Sequence, residues 1–300
     1  MREFLKISNV TKTYREQIVL NKVNLSINQG EIIGLVGPNG AGKTTLMKII
    51  ARLIKKYDGD VYINNENIKT NKKYDTKQIG CVIETPGFYP ELTGYENLLF
   101  FSEISGLKDK DELNEIIDRL GIREYINKKA KNYSLGMKQR LGVAQAVLSY
   151  PKVLILDEPT NGLDPAIVPQ LREFIKYIAR EKKTAILISS HILSEIELIC
   201  DKVAFIQKGK IIKFESLKKE NKDTINMAFV TSKLEELKIF FNKKNYNYKI
   251  LGEDKLQLEI NPKNLDDLVL NIGRENIPLR GVYEVKESLE EKYLKTMEEK

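Results

Sequence analysis

The sequence contains no tryptophan, only two cysteines and no long apolar run. Two cysteines are too few for a disulfide framework. Cys81 and Cys200 both have apolar neighbours along the chain, so we expect them to be small buried side chains in a reducing compartment. No apolar run approaches the roughly 18 residues that a membrane-spanning helix needs, and the first residues lack the apolar core of a signal peptide. A role at a membrane would therefore require a partner that spans it.

Charge of one sign is also not concentrated anywhere in the chain. The 300 residues carry a formal net charge of +7, and a basic balance is compatible with binding to nucleic acid, to an anionic membrane surface or to an acidic substrate. The lysines, however, are interleaved with glutamate and aspartate, and the densest basic cluster is the short one at Lys128, Lys129 and Lys131. This pattern indicates a solvated charged surface, and we expect no nucleic-acid partner.

Up to residue 217, short apolar runs alternate with segments of helical periodicity. The runs predict buried strands and the periodic segments predict helices, so the class is α/β with a mostly parallel core sheet. The predicted strands are residues 32–36, 153–156 and 185–188, and the predicted helices are 43–54 and 136–149. Residues 4–7 and 23–27 alternate instead and predict antiparallel strands beside that sheet, and residues 203–212 predict a hairpin.

A polar run at residues 218–223 predicts a linker, which divides the chain into a domain of residues 1–217 and a domain of residues 218–300. The second domain reads as strand, helix, strand, strand, helix, strand, followed by a charged helix. The predicted segments are 225–230, 234–241, 249–251, 256–260, 265–272, 282–285 and 288–299. We expect a small accessory α+β domain, in which no catalytic constellation is visible.

A glycine-rich segment follows the first predicted buried strand and fits the pattern G-x-x-x-x-G-K-[ST]. Its glycines allow turns in which backbone amides point inward and bind an anion, and the helix that follows adds its own N-terminal amides. The lysine would contact the β- and γ-phosphates, and the first threonine would hold Mg²⁺. The segment predicts an ATP site, formed by Gly37, Pro38, Asn39, Gly40, Ala41, Gly42, Lys43, Thr44 and Thr45.

Two acids end the second predicted buried strand, Asp157 and Glu158. Ligands of open α/β sheets bind outside the carboxyl ends of the strands. We therefore expect Asp157 to hold Mg²⁺, directly or through water, and Glu158 to be the general base that polarises the attacking water. Alone, the same acids would fit a helix cap equally well; the phosphate-binding segment favours the catalytic interpretation.

Four further segments accompany these motifs. They are Ser134–Arg140, Asn161–Asp164, the single histidine His191 and Tyr14. With the phosphate-binding segment and the acids, they make the first 215 residues resemble the ATP-binding cassette of ABC transporters. The segment Ser134–Arg140 resembles the ABC signature but departs from it at Leu135, Met137 and Lys138.

The resemblance implies roles for these residues. Ser134 and Gly136 would complete the nucleotide site of a second copy, so the active form would be a head-to-tail dimer with two shared sites. Asp164 would act across that interface, although capping of the next helix is an equally good explanation, and both are compatible. His191 would contact the γ-phosphate and orient the water or Glu158. Tyr14 would stack on adenine, or else pack as a strand aromatic.

Glu84 stands where the family usually has glutamine. A carboxylate still offers a hard oxygen to Mg²⁺ but adds a negative charge near the phosphates. Glu84 and the Thr-Pro-Gly-Phe-Tyr-Pro that follows it resemble the branch associated with bacitracin resistance and lantibiotic immunity. The variant signature and the small C-terminal domain also fit that branch.

The resemblance thus implies an ATPase subunit that drives a separate membrane permease from the cytoplasmic face and expels peptide antibiotics. A soluble ABC ATPase that acts on DNA or the ribosome is the alternative, but such proteins carry coiled-coil insertions or tandem cassettes, which this chain lacks. A GTPase would need Asn-Lys-x-Asp, and residues 127–130 read Asn-Lys-Lys-Ala. A protein with an inactive ATPase site is disfavoured by the intact Lys43, Asp157, Glu158 and His191.

Overall fold

The computed structural model describes residues 3–71, 73–107, 109–217, 224–285 and 288–298. The chain forms two compact units, Met1–Lys218 and Lys219–Lys300. The predicted linker at residues 218–223 lies outside the described residues. Within the described ranges, every helix is too short or too polar to cross a membrane.

The first unit contains two sheets. Its strands are β1 (Glu3–Tyr14), β2 (Gln17–Asn28), β3 (Ile32–Val36), β4 (Asp58–Ile63), β5 (Glu66–Asn67), β6 (Ile79–Val82), β7 (Val153–Asp157), β8 (Ala185–Ser189), β9 (Lys202–Gln207) and β10 (Lys210–Ser216). Its helices are α1 (Lys43–Ile50), α2 (Gly94–Ser105), α3 (Lys110–Arg119), α4 (Leu135–Val147), α5 (Val168–Arg180) and α6 (Leu193–Ile199). The helix predicted for residues 43–54 ends earlier, at Ile50, because Arg52 has a left-handed backbone with φ of 60°.

The larger sheet has six strands in the order β10-β9-β3-β8-β7-β6. All neighbouring pairs from β9 to β6 are parallel, and β10 pairs antiparallel with β9. Every residue of β3, β7 and β8 is buried, as their near-continuous apolar runs require. The prediction of a mostly parallel sheet is confirmed, and it places the carboxyl ends of β3, β8 and β7 side by side.

The smaller sheet is antiparallel, in the order β2-β1-β4-β5. Its alternating residues, such as Leu5 and Ile7 of β1, share one apolar core with Leu35 of β3 and with Leu46 and Met47 of α1. The core therefore anchors α1 between the two sheets. This packing fixes the position of the helix that follows the glycine-rich turn.

The two cysteines differ in environment. Cys200 is buried, as expected, but Cys81 is exposed, so the prediction was wrong for Cys81. Cys81 lies on β6, which is the edge strand of the six-stranded sheet. Along β6 its neighbours Gly80 and Val82 are buried and Cys81 is not. An apolar sequence around a residue does not show which side of an edge strand faces the core.

The second unit has its own sheet and core. Its elements are β11 (Ile225–Thr231), α7 (Leu234–Lys243), β12 (Tyr248–Ile250), β13 (Lys255–Ile260), α8 (Leu265–Arg274), β14 (Leu279–Glu284) and α9 (Leu289–Glu298). The antiparallel order β12-β13-β11-β14 is that of a ferredoxin-like βαββαβ unit. The last strand begins at Leu279, earlier than the predicted residue 282, and the predicted end of the last helix at residue 299 lies beyond the described residues.

Candidate nucleotide site

The glycine-rich turn leaves β3 and enters α1. A Cβ atom on Gly37 would lie 2.1 Å from the carbonyl oxygen of Ile206 on β9, so a side chain has no room there. Gly42, which caps α1, has a φ of 106°, in the region that favours glycine. The turn can therefore follow this path only with glycine at these positions, and it directs the first amides of α1 toward the space above the sheet.

Lys43 is the first residue of α1 and is only 7% exposed. Its ammonium nitrogen donates to the carbonyl oxygens of Gly37 at 2.6 Å and Pro38 at 3.2 Å. Burial lowers the pKa of the Lys43 ammonium from its ordinary value, and the nearby carboxylates of Glu158 and Asp157 oppose this shift. The two carbonyl oxygens thus hold the ammonium group of Lys43 within the turn. A phosphate bound there would add negative charge that stabilises this buried cation.

Asp157 is fixed through both carboxylate oxygens. Thr44 Oγ1 donates to Oδ2 at 2.9 Å, and Ser189 Oγ donates to Oδ1 at 2.5 Å. Ser189 is fully buried and Asp157 is 8% exposed. The sequence analysis missed Ser189, although a serine that ends the apolar strand β8 was a signal that could have found it. Because β8 lies between β3 and β7, this hydroxyl sits beside the end of β7.

Glu158 follows Asp157 and has a left-handed backbone, with φ of 50°. Such a conformation costs about 1–3 kcal/mol for a residue with a side chain and is concentrated at functional sites. Its backbone amide donates to Ser189 Oγ at 3.0 Å, and its Oε2 lies 2.6 Å from Nδ1 of His191. The carboxylate is a quarter exposed and the imidazole is half exposed, so both remain accessible to a ligand.

Lys43, Thr44 and both acids line one cleft with a volume of about 510 Å³, whereas Ser189 and His191 are not among its lining residues. It is lined by Val19, Asn39, Gly40, Gly42, Lys43, Thr44, Thr45, Glu84, Leu135, Gln139, Asp157, Glu158 and Asn161. The cleft thus brings together the glycine-rich turn, both acids and Glu84. Val19, Leu135, Gln139 and Asn161 were not among the predicted site residues. The other predicted residues of the turn, Gly37, Pro38 and Ala41, do not line the cleft. Their backbone shapes the turn, in which Ala41 N donates a hydrogen bond to the carbonyl oxygen of Pro38 at 3.2 Å.

Glu84 lies just beyond β6, at the same edge of the sheet as Asp157. Its carboxylate oxygen Oε1 is 2.7 Å from the ammonium nitrogen of Lys48 on α1. Its backbone is also left-handed, with φ of 62°. The structure therefore places Glu84 in the wall of the cleft, in an ion pair that the sequence did not reveal.

Of the remaining predicted residues, Ser134, Asp164 and Tyr14 are exposed, whereas Gly136 is buried in the first turn of α4. Ser134 caps α4 by accepting a hydrogen bond from Met137 N at 3.2 Å. Asp164 accepts one from Ala166 N at 2.9 Å, within the turn before α5, whose N-cap is Ile167 and has no side-chain cap. Tyr14 is 46% exposed, has the Lys12 ammonium 4.5 Å from its ring centre and does not line the cleft. The structure of a single copy leaves their roles in a dimer as predictions.

The oxygens of this cleft fit a magnesium ion that is bound together with a nucleotide. Thr44 Oγ1 and Asp157 Oδ2 converge within 2.9 Å of each other beside the phosphate-binding turn, and both are hard oxygen ligands. In the part of the chain that the structure describes, three or more acidic, histidine or cysteine side chains nowhere cluster as a metal site. Mg²⁺ in nucleotide sites is typically held by one or two protein oxygens, with phosphate and water supplying the other ligands.

Comparison with known proteins gives a consistent result. The ABC transporter family model matches residues 20–161. The chain is 40% identical to the uncharacterized ABC transporter ATP-binding protein YhcH of Bacillus subtilis, over 98% of this chain and 96% of that protein. It is 44% identical to the bacitracin transport ATP-binding protein BcrA of Bacillus licheniformis, over 74% of each chain. It is 42% identical to the lantibiotic transport ATP-binding protein SrtF of Streptococcus pyogenes, over 69% of this chain and 89% of that protein.

Solved structures of similar proteins cover about 71–72% of this chain. The ATP-binding subunit of an ABC transporter has a TM-score of 0.65 and 30% identity, over 71% of this chain and 90% of the other. A dimeric ATP-binding cassette in a post-hydrolysis state, bound to ADP and Pi, has a TM-score of 0.63 and 27% identity, over 72% of this chain and all of the other.

Proposed function

The chain belongs to the ABC transporter family as an ATP-binding, ATP-hydrolysing subunit, and on that premise we propose that it powers the expulsion of peptide antibiotics through a separate permease. The observation that carries this proposal is the 44% identity to a bacitracin transport subunit. The 42% identity to a lantibiotic transport subunit supports the same class of substrate. None of these named relatives is described as acting on nucleic acid.

ATP is bound in the cleft through the backbone amides of residues 37–45 and the ammonium of Lys43. Thr44 and Asp157 hold Mg²⁺, which neutralises charge on the β- and γ-phosphates. The proposal is supported by the 2.9 Å contact between Thr44 and Asp157 and by the two carbonyls that hold Lys43 inside the turn. Glu84 is a further oxygen donor in the cleft wall.

Glu158 orients the attacking water and accepts its proton. His191 contacts the γ-phosphate and, through the 2.6 Å contact of Nδ1, fixes the direction of the Glu158 carboxylate. Ser189 holds Asp157 and the backbone of Glu158 with one hydroxyl. Binding and positioning therefore account for most of the catalysis, as in other phosphoryl transfers.

The active form is a head-to-tail dimer of two copies. Ser134 and Gly136 of one copy reach the γ-phosphate held by the other, Asp164 acts across the interface, and Tyr14 stacks on adenine. Support comes from the dimeric structures of similar cassettes and from the exposure of Ser134, Asp164 and Tyr14. Closure and reopening of the dimer are passed on to the permease, at the inner face of the membrane, through the loop around Glu84.

The variant Glu158→Gln tests the assignment of the base. The amide keeps the size of the side chain but does not accept a proton, so we expect ATP turnover to fall by about 10²–10⁴-fold while ATP binding persists. Turnover is measured as phosphate release. Size-exclusion chromatography in the presence of ATP measures the oligomeric state, and we expect the variant to elute as a dimer. Turnover at the rate of the unaltered protein would contradict the role of Glu158.

The transport role is tested in cells that express the chain together with a membrane permease that co-purifies with it. We expect these cells to tolerate more bacitracin or lantibiotic than cells that express the permease with the Glu158→Gln variant. Unchanged tolerance to both peptides, with intact ATP hydrolysis by the purified protein, would contradict the proposed substrate class and leave the ATPase assignment untouched.

A further inference from the structure

Lys48 and Glu84 connect two parts of the cleft that are far apart in the chain. Lys48 lies four residues after Thr44, so both side chains are on the same face of α1, about 6 Å apart along its axis. Glu84 follows β6, which pairs with β7 in a register that sets Val82 opposite Leu156. The ion pair therefore ties the helix of the phosphate-binding turn to the loop beside the predicted metal ligands.

The charge of the cleft explains why such a pair is needed. Among the described residues that line it, Lys43 is the sole cation, and there are three acids, Glu84, Asp157 and Glu158. Lys43 is already engaged by carbonyl oxygens of the turn. A triphosphate that enters this cleft would meet an excess of negative charge, which raises the free energy of binding.

Lys48 compensates the negative charge of Glu84, one of these three acids. Its ammonium lies 2.7 Å from Glu84, within hydrogen-bonding distance, and the two side chains are 30% and 62% exposed. An ion pair this exposed contributes little to folding stability. Its effect is therefore expected in the electrostatics of the cleft, where it makes Glu84 resemble the neutral glutamine that the family usually has at this position.

We propose that Lys48 is a positioning residue of the nucleotide site, which neutralises Glu84 and holds it in the cleft wall so that the triphosphate binds beside three carboxylates. The inference rests on the proposed nucleotide site and deepens it. It assigns Lys48 to Glu84 as the partner that compensates its charge. It also predicts that Lys48 no longer affects ATP binding once Glu84 is replaced by glutamine.

The test is a double-mutant cycle on ATP binding without magnesium, measured by calorimetry on the full chain. With Lys48→Met, Glu84 is left uncompensated, and we expect the Kd for ATP to rise about tenfold. With Glu84→Gln as background, adding Lys48→Met should change the Kd by less than about twofold. Lys48→Arg keeps the charge and should bind ATP within about twofold of the unaltered protein.

Two controls separate this effect from a loss of structure. The pair of Lys176 and Glu173 on α5, at 3.2 Å, is similarly exposed, at 37% and 72%, and lies outside the cleft; Lys176→Met should leave the Kd unchanged. The Tm of Lys48→Met should remain within about 3 °C of the unaltered protein.

The outcomes are distinct. An unchanged Kd in Lys48→Met would overturn the proposal, and so would an equal loss in the Glu84→Gln background, because Lys48 would then act on the phosphates directly. An arginine that binds ATP as weakly as methionine would also overturn it. If the unaltered protein binds no ATP, the proposed nucleotide site itself fails, which is a different result.

Discussion

At the scale of single residues, the candidate site depends on side chains that hold other side chains. Asp157 and Glu158 are the acids that the sequence marks, but their geometry is set by Ser189, which donates to Asp157 at 2.5 Å and accepts from Glu158 N at 3.0 Å. One buried hydroxyl thus couples Asp157, the proposed metal ligand, to the backbone of Glu158, the proposed base. Orientation of this kind is worth a large part of a catalytic rate.

The variant Ser189→Ala should therefore lower turnover more than binding. We expect kcat for ATP hydrolysis to fall about tenfold or more, because Asp157 and the Glu158 backbone lose a shared partner. The Kd for ATP without magnesium should change little, since Ser189 does not line the cleft. Steady-state kinetics and calorimetry separate the two quantities.

Ser190→Ala is the matched control for this variant. Ser190 is also buried, but its hydroxyl accepts a hydrogen bond from Ile192 N, at 3.0 Å. We expect near-normal turnover from it. Equal losses in the two alanine variants would indicate a general disturbance of the end of β8 and would remove Ser189 from the mechanism.

At the scale of elements, the site depends on how closely the turn after β3 approaches its neighbours. Gly37 lies against the backbone of β9, where a Cβ atom would be 2.1 Å from the Ile206 carbonyl oxygen. That oxygen belongs to a buried strand and cannot swing away as the end of a flexible side chain can. The phosphate-binding turn and β9 are therefore packed as one unit.

Gly37→Ala should force β3 and β9 apart. We expect the free energy of unfolding to fall by about 1–3 kcal/mol, and ATP binding to weaken because the amides of the turn are displaced. Denaturant unfolding and calorimetry measure the two effects. Gly87→Ala is the control, since its Cβ would meet nothing within 4 Å; if both variants had the same stability, the tight packing at Gly37 would be refuted.

At the scale of the whole molecule, the described residues of the second unit form a hydrophobic core of their own. The core of the second unit is centred on Phe241, which is fully buried and packs against the rings of Phe229, Phe240, Tyr246 and Tyr248. None of these residues belongs to the apolar core that β1, β3 and α1 share in the first unit. The two units are therefore expected to unfold as separate cooperative transitions.

Phe241→Ala should lower the stability of the second unit alone, by about 3–5 kcal/mol, because it removes a fully buried ring. Calorimetric unfolding should show one transition at lower temperature and the other unchanged, with ATP raising only the transition of the nucleotide-binding unit. Ile239→Ala on the same helix, 65% exposed, is the control and should leave both transitions in place. A single transition shifted as a whole would contradict independent cores.

The sequence by itself determined the class of the fold, the phosphate-binding turn and the two acids. Each of these features is a short contiguous segment that can be recognised without knowledge of the fold. A glycine turn between a buried strand and a helix, for example, has few functions other than phosphate binding. The buried strands at β3, β7 and β8 were predicted for the same reason, since their apolar runs are uninterrupted. The roles of Ser134, Asp164 and Tyr14 stay predictions, because they concern contacts with a second copy or a bound base.

Only the tertiary structure decided which residues support the site. Ser189 is 32 positions from Asp157, and Glu84 is 36 positions from Lys48. Ser189 and Asp157 meet because the parallel sheet aligns the carboxyl ends of β8 and β7, whereas Glu84, beyond the end of β6, meets Lys48 on α1. The exposure of Cys81 was decided in the same way, by the edge position of β6. Neighbours along the chain fix local conformation, whereas contacts between distant segments depend on strand order and register, which local patterns do not encode.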